Sequence, residues 1–395
     1  MSGKTSALKN CIAISAILLL TAATSTTARI IYVDDDAIGT NNGSSWADAY
    51  KYLQDALTDA NTSPKPVEIR VAQGIYKPDQ GGSKMAGDRT ATFQIINGVT
   101  LKGGYAGASV PDPNVRDIEA YKTFLSGDLN GDDIDITTTW NLLIEPSRAE
   151  NSLHVMTGSS TDETAILDGF TITAGQANED HAIGAGMYNS HGNPTIANCT
   201  FRANWASSKG GGIYNDCSCP KLSGCRFIEN FAYWDGGGVC NFNSSPILAN
   251  CIFTSNFTEW DGGGIQNRDG SNTLIINCIF GENRGRFGGG LMNNQSAPVL
   301  FGCVFMGNRS MSQGGAVLNS RSNPTLINCT LNGNRSECTG GILSDTSSNL
   351  TLTNCILSRN IDDYDVQEWA QILGGTLNIN HSCVEGWTGS LGGGQ

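Results

Sequence analysis

The chain has 395 residues, enough for one elongated domain or two compact ones. Forty-nine glycines and a charged share of 15%, against about 25% in ordinary globular chains, point to many turns and few surface helices. A formal charge of −13 argues against nucleic acid as a partner, because phosphates attract basic surfaces, and leaves bound cations compatible with the surface.

Lys4 and Lys9 precede an apolar run over residues 11–20, and small residues continue up to Ala28. This pattern predicts a secretory signal over residues 1–28. The run is shorter than the roughly 20 residues that span a bilayer, and no second apolar span occurs downstream. No transmembrane segment is therefore expected after signal removal, and the expected location is secreted or at the cell surface. Loss of two Lys and no acid brings the charge of the remaining chain to −15.

Residues 46–60, WADAYKYLQDALTDA, predict an amphipathic helix with Ser45 as N-cap and Asp48 three positions on. This helix is expected to cover the open first coil of the strand-rich region downstream. Residues 67–76, 93–105 and 165–173 read as strands, and residues 106–163 are loop-rich. Within that loop-rich stretch Asp128, Asn130 and Asp132 alternate oxygen-bearing side chains, a spacing that suits Ca²⁺. The stretch departs from an EF-hand loop at Asp133, where the turn wants Gly, and at Thr139, where a Glu would close the site. The stretch reads first as a solvated acidic loop with no cofactor, and Ca²⁺ is the one alternative. Asp34, Asp35 and Asp36 form a weaker cluster.

From Gly184 the sequence becomes periodic. Glycines stand at 184, 210, 236, 262, 288, 314 and 340, a constant step of 26. An Asn stands five positions after each, at 189, 215, 241, 267, 293 and 319, with Asp345 in the last unit. Cysteines recur at 199, 225, 251, 278, 303, 329 and 355, with one insertion and its compensation around Asn272. Helical repeats run from about 33 to 47 residues and tolerate no Gly triplet inside the unit. In PTIANCTF (194–201) and PTLINCTL (324–331), Cys and the Phe or Leu two places later face one way and the intervening Thr faces the other. The fold these features imply is an all-β parallel β-helix, with coils about 4.8 Å apart and equivalent side chains in ladders. The expected organisation is a single domain over residues 29–395: a capping helix and irregular coils to 183, seven regular repeats over 184–360, and a tail over 361–395. Cys and Phe201, Phe227, Phe253, Phe280 and Phe305 are expected in the core, stacked Asn amides at the bends, and the Gly triplets as scaffold.

Thirteen cysteines in a secreted chain suggest disulfides. In-register side chains point in parallel, however, which opposes the roughly 90° S–S dihedral. The seven periodic cysteines are expected as stacked thiols. A bridge from Cys240 to Cys217 or Cys219 stays open, while a metal at Cys217 and Cys219 lacks a spaced His partner.

The paired signatures GG-(G/A)-(I/V/L) and F-x-x-N resemble the repeats of polymorphic outer membrane proteins over about residues 184–360. GGAV at 314–317 is the strictest match, and Leu331 and Leu357 replace Phe in the last two F-x-x-N motifs. The resemblance implies a right-handed β-helix whose repeats are structural. The opening IYVDDDAIGTNNGSSWADAYKYLQDAL, the string LKGGY, ILDGFTITAG and the ending HSCVEGW look like secreted β-helix repeat proteins of environmental bacteria, in which such an ending is usually succeeded by more sequence. No series of roughly ten-residue alternating strands is present to build a membrane barrel.

The familiar motifs of β-helical lyases and hydrolases are absent, and His154, His181, His191 and His381 are isolated in sequence, so no catalytic residue is assigned. Two consecutive coils share NFAYWDGGGVCN (230–241) and NFTEWDGGGIQN (256–267). Phe231, Trp234, Asp235, Phe257, Trp260 and Asp261 are therefore expected to form a patch on one edge of the solenoid, with aromatic faces and carboxylates suited to sugar rings. Rings that stack on one another and shield the loop are the competing reading. Arg284, Arg309 and Arg335 form a row that suits an anionic glycan or plain solvation. The expected function is a non-catalytic scaffold that binds polysaccharide or cell-surface glycan or acts in adhesion. A polysaccharide lyase or glycoside hydrolase is the first alternative, and a purely structural envelope protein the second.

Overall fold

The computed structural model describes residues 28–136, 138–178, 182–363 and 368–388. The signal expected over residues 1–28 lies outside these except for Ala28, as does His181.

One regular coil shows how the chain turns. Lys221–Ser223, Arg226–Ile228 and Phe231–Ala232 are short strands separated by two-residue bends, and Val239–Phe242 returns the chain one level up. Each strand pairs in parallel with its equivalents in the coils below and above, as in Thr200↔Arg226↔Ile252. The equivalents build four parallel sheets, which in coil order hold twelve, eleven, six and ten strands. The result is an all-β parallel β-helix of about 26 residues per coil.

The bends explain the repeated letters. The residue before each ladder cysteine, at 198, 224, 250, 277, 302, 328 and 354, has φ between +51° and +64°. Only Gly and Asn occur there, the two residues that enter this region at least cost. In the triplet Gly236 to Gly238 the first residue has φ +65°, and a Cβ on the second or third would lie 2.3–2.5 Å from a carbonyl oxygen of the next coil. The triplet is scaffold because backbone occupies the space a side chain would need.

Inside, like stacks on like. Phe201, Phe227, Phe253, Phe280 and Phe305 are nearly parallel, with successive centroids 4.4–5.1 Å apart. The seven ladder cysteines are buried free thiols, and burial pushes the Cys199 thiol up to about 12. Two amide ladders run beside them. Asn189 donates to Asn215 at 3.1 Å, and the chain of Nδ2-to-Oδ1 bonds continues through Asn241, Asn267, Asn293 and Asn319. The F-x-x-N asparagines form the second, from Asn204 through Asn230, Asn256, Asn283, Asn308 and Asn334 to Asn360. Each of these also donates to a strand carbonyl of the coil below, Asn256 to Phe227 O at 2.8 Å.

Three expectations change. The N-terminal helix α1 is Leu53–Thr62 and not 46–60. Ser45 and Asp48 do exchange hydrogen bonds, at 3.1 and 3.2 Å, but tertiary contacts claim the next turn. Trp46 is buried against Tyr32, Ala72 and Tyr105, and Tyr50 pairs with the first strand through Tyr32 and Asp34. Leu53, Ala56, Leu57 and Ala60 of α1 join Ile31, Val33 and Val67 in the core at the N-terminal end. In the last regular coil Val317 pairs with Ile342, a step of 25, so Ser344 and not Asp345 receives the Asn319 amide, at 3.0 Å. Asp345 instead accepts from Ser347 and Ser348 in the next turn. Cys240 is a buried free thiol, and Cys217 and Cys219 are also free, accepting from Asn243 and from the Ser245 backbone N–H. Among the described residues no helix is long and apolar enough to cross a membrane.

The amide ladders yield a stability prediction. Asn256→Ala removes two donated and two accepted hydrogen bonds at a fully buried site. It should lower stability by about 3 kcal/mol, whereas Ile252→Thr, on the outer face of the same coil, should stay within about 0.5 kcal/mol. Urea midpoints of the two variants against the parent check this, and equal midpoints would mean that the ladder is not a principal support.

Candidate functional site

The repeated FxxWD strings do not form one patch. Phe231 is fully buried, in contact with Trp205, Leu142 and Phe257, so it presents nothing to a ligand. Phe257 is half-buried and covered by Trp140, which reaches both rings from the loop-rich segment with centroids 5.9 and 6.2 Å away. Trp234 and Trp260 point elsewhere and stack on each other at 5.2 Å. The Arg286 guanidinium lies 4.7 Å over Trp260, and Tyr233 meets Trp234 edge-on. Both Trp260 faces are thus engaged, while Trp234 keeps 45% of its surface open.

The two aspartates are register partners on adjacent coils. Asp235 is buried and accepts from Arg268 Nη1 at 2.8 Å, with Lys209 Nζ at 3.7 Å. Asp261 sits beside that charge without an ion pair of its own among those described. Burial, then the neighbouring Asp235 carboxylate, push it up to about 7, with Arg268 opposing. Stacking would place two like charges one coil apart, and protonation of one member relieves this. Of the Arg row, Arg284 lies 5.5 Å over the Phe257 ring and Arg309 and Arg335 are register partners on the exposed side.

A cleft of about 750 Å³ lies elsewhere, over the outer face of the eleven-stranded sheet. Its floor is the outward row Phe124, Thr171, Thr200 and Arg226, aligned across four coils. Its walls come from the loop-rich segment, with Ile118, Glu119 and Lys122 on one part and Asp128 and residues 133–136 on another. Arg202 pairs with Glu229 at 3.1 Å, and Arg226 with Glu119 at 3.8 Å, so charges of both signs face the space. Beyond the cleft the same outward row continues as Ile252, Ile279, Val304, Thr330 and Ile356. The alternation of the strands marks this row in the sequence. The walls have no period and give no such signal.

Of the aspartates expected to hold Ca²⁺, Asp128 belongs to a carboxylate cluster and Asp132 does not. Asn130 and Asp132 are exposed at the loop tip, and Asp128 turns back to accept from the Gly131 and Asp132 amides at 2.6 and 3.2 Å. Asp133 and Glu150 are its neighbours instead, each with a carboxylate oxygen within 4.8 Å of the others. Sequence reading missed Glu150 because it lies a short helix and a turn beyond the motif. His154 stacks on Tyr188 at 5.4 Å and contacts Gly184 O, which ties it to the scaffold.

The Asp261 proton makes a pH prediction. The folded chain holds it to about pH 7 whereas the unfolded chain gives it up near 3.8. Between these values the folded state binds more protons, so this contribution to stability is complete below 3.8 and lost as pH rises through about 7. Asp261→Asn should therefore gain on the order of 2 kcal/mol over the parent at about pH 8 and little at about pH 4. Urea midpoints at both pH values measure it, and a pH-independent difference would show Asp261 ionised throughout.

No curated protein matches the chain. Among solved structures, pectate lyase Pel9A aligns at 14% identity and a TM-score of 0.39, covering 91% of this chain and 79% of that one. The GH87 α-1,3-glucanase of Streptomyces thermodiastaticus strain HF3-3 aligns at 10% and 0.39, covering 93% and 70%. PfbA, a surface adhesin of Streptococcus pneumoniae, aligns at 11% and 0.30, covering 84% and 86%. These likenesses are too distant to carry an argument about activity. The model of the right handed beta helix region matches residues 134–309 and 230–386, together more than half of the sequence. With its 26-residue period and four parallel sheets, the chain belongs to the right-handed β-helix family.

Proposed function

We propose that the chain is an extracellular or cell-surface scaffold that binds a polysaccharide along the outer face of the eleven-stranded sheet. The observation that carries this reading is the cleft: a floor of aligned outward side chains, walled by the irregular segment and continued by a mostly apolar row. Threonine hydroxyls and paired charges suit sugar hydroxyls and carboxylates, and the apolar row suits the CH faces of successive rings. The polymorphic outer membrane protein-like signatures are consistent with this assignment, because Gly, Asn and Phe of those motifs serve the scaffold and leave the outer faces to vary.

Binding is favoured over bond cleavage. The cleft's three arginines, Arg148, Arg202 and Arg226, are each ion-paired to a carboxylate, which suits them to holding charge more than to taking up a proton. Asp261, whose carboxyl is pushed up by burial, and its register partner Asp235 do not line the cleft. A second reading rests on Trp234, whose open surface beside the exposed Tyr233 offers a separate aromatic contact for a glycan.

Native affinity electrophoresis through gels of neutral and acidic polysaccharides separates the readings. Thr200→Trp fills the cleft floor and should weaken retardation at least about tenfold, while Trp234→Ala/Trp260→Ala leaves it unchanged. The reverse pattern would move the contact to the tryptophan edge. Absence of retardation on every polymer would overturn the binding proposal, and clearing of the gel would replace it with catalysis.

A further inference from the structure

We propose that Asp128, Asp133, Glu150 and Asn151 form a calcium-class divalent cation site at the wall of the cleft. Asp128 and Asp133 lie on the loop after the strand Thr123–Ser126, and Glu150 and Asn151 come just after the 3₁₀ turn Pro146–Arg148. Two segments separated in sequence thus meet at one point. Carboxylate oxygens of Asp128, Asp133 and Glu150 lie within 4.8 Å of one another.

Three oxygens at this point are buried and lack a hydrogen-bond partner: Asp133 Oδ1, Glu150 Oε1 and Asn151 Oδ1. Asn151 is itself fully buried, and its Nδ2 donates to Asp133 Oδ2 at 2.9 Å, which holds the amide against the acidic group. An unpaired buried acceptor costs about 1–3 kcal/mol, and an acidic loop serving only solvent would turn such atoms outward. Arg148 does not fill the need. It reaches Asp133 Oδ2 at 2.9 Å and also donates to Gln176 Oε1 and Ala203 O, on the scaffold side. Lys77 donates to the Leu129 carbonyl at 3.1 Å. Three carboxylates facing one guanidinium leave a local charge of −2, which a divalent ion neutralises. All-oxygen donors of mixed carboxylate and amide type suit a hard cation, and irregular loops suit the flexible coordination of Ca²⁺ more than the strict octahedron of Mg²⁺. The ion would join the loop of Asp128 and Asp133 to the segment of Glu150 and Asn151, fixing one wall of the cleft. The inference stands whether or not the cleft takes a polysaccharide.

Isothermal titration of the chelator-treated chain with Ca²⁺, paired with thermal unfolding, tests the site. One ion per chain is expected, with Kd between about 10⁻⁵ and 10⁻³ M and a higher Tm in Ca²⁺. Glu150→Gln and Asp128→Asn each retain shape while removing a charge, and each should weaken binding at least about tenfold. Asp132→Asn, at the exposed tip, should change it by less than about threefold. Circular dichroism of the ion-free variants verifies that they fold. Neither heat nor a Tm shift at about 10 mM Ca²⁺, undiminished binding in both folded variants, or Mg²⁺ bound as tightly as Ca²⁺ would overturn the assignment.

Discussion

Parallel pairing places every residue of a regular coil about 4.8 Å above its own equivalent, and the rest of the molecule is organised around which side chains tolerate that neighbour. Phenylalanine rings do, since successive offset stacks exclude water on both faces. Thiols do, as small hydrophobes that need no partner. Asparagine is the most suitable polar residue, because one amide carries both donor and acceptor and so bonds its own copy. Carboxylates are the poorest choice. Where two meet at Asp235 and Asp261, one is held by Arg268 and Lys209 and the other is pushed toward its neutral form.

The same spacing limits the backbone. At the Gly triplets the backbone of the next coil fills the space a side chain would need, and the Gly or Asn before each cysteine answers to a positive φ. An added residue can be accommodated only where the chain leaves the stack. The step of 27 between Ile247 and Leu274 is taken up in the turn around Asp269 and Gly270, and the step of 25 to Val299 restores the phase. The core sees neither change, because Phe253, Phe280 and Phe305 remain in line.

Periodicity made the regular coils readable from the sequence, including the buried phenylalanines, the free cysteine ladder and the first asparagine ladder. It failed where a residue answers to a neighbour outside its own coil. The start of α1 was displaced because Trp46 packs on Tyr105 and Tyr50 joins a sheet, contacts that no local pattern records. Asp345 fell out of the ladder because the chain is one residue short where Val317 pairs with Ile342 and regains that residue before Thr351, a change invisible when glycines alone set the count. The tryptophan and aspartate pairs are legible as repeats, and the stacking weighed against an open patch is the arrangement that repetition gives Trp234 and Trp260. The cleft and the oxygen cluster were least legible. Both are built from aperiodic segments that come together only after the coils have formed.

The second amide ladder has a direction. Within the ladder every Nδ2 donates to the Oδ1 of the next Asn toward the C-terminal end, from Asn204 to Asn360, so an acceptor is presented at one end and a donor at the other. The first is met by the Gly175 N–H at 3.0 Å and the last by Gln371 Oε1 at 2.7 Å. The two ends are therefore chemically different plugs. A whole coil duplicated between them meets a donor below and an acceptor above and leaves no amide stranded, which makes the complete coil the natural unit by which such a protein lengthens or shortens through evolution. Two copies fused in the same orientation preserve this polarity across the joint, whereas two fused in opposition would set like groups against each other.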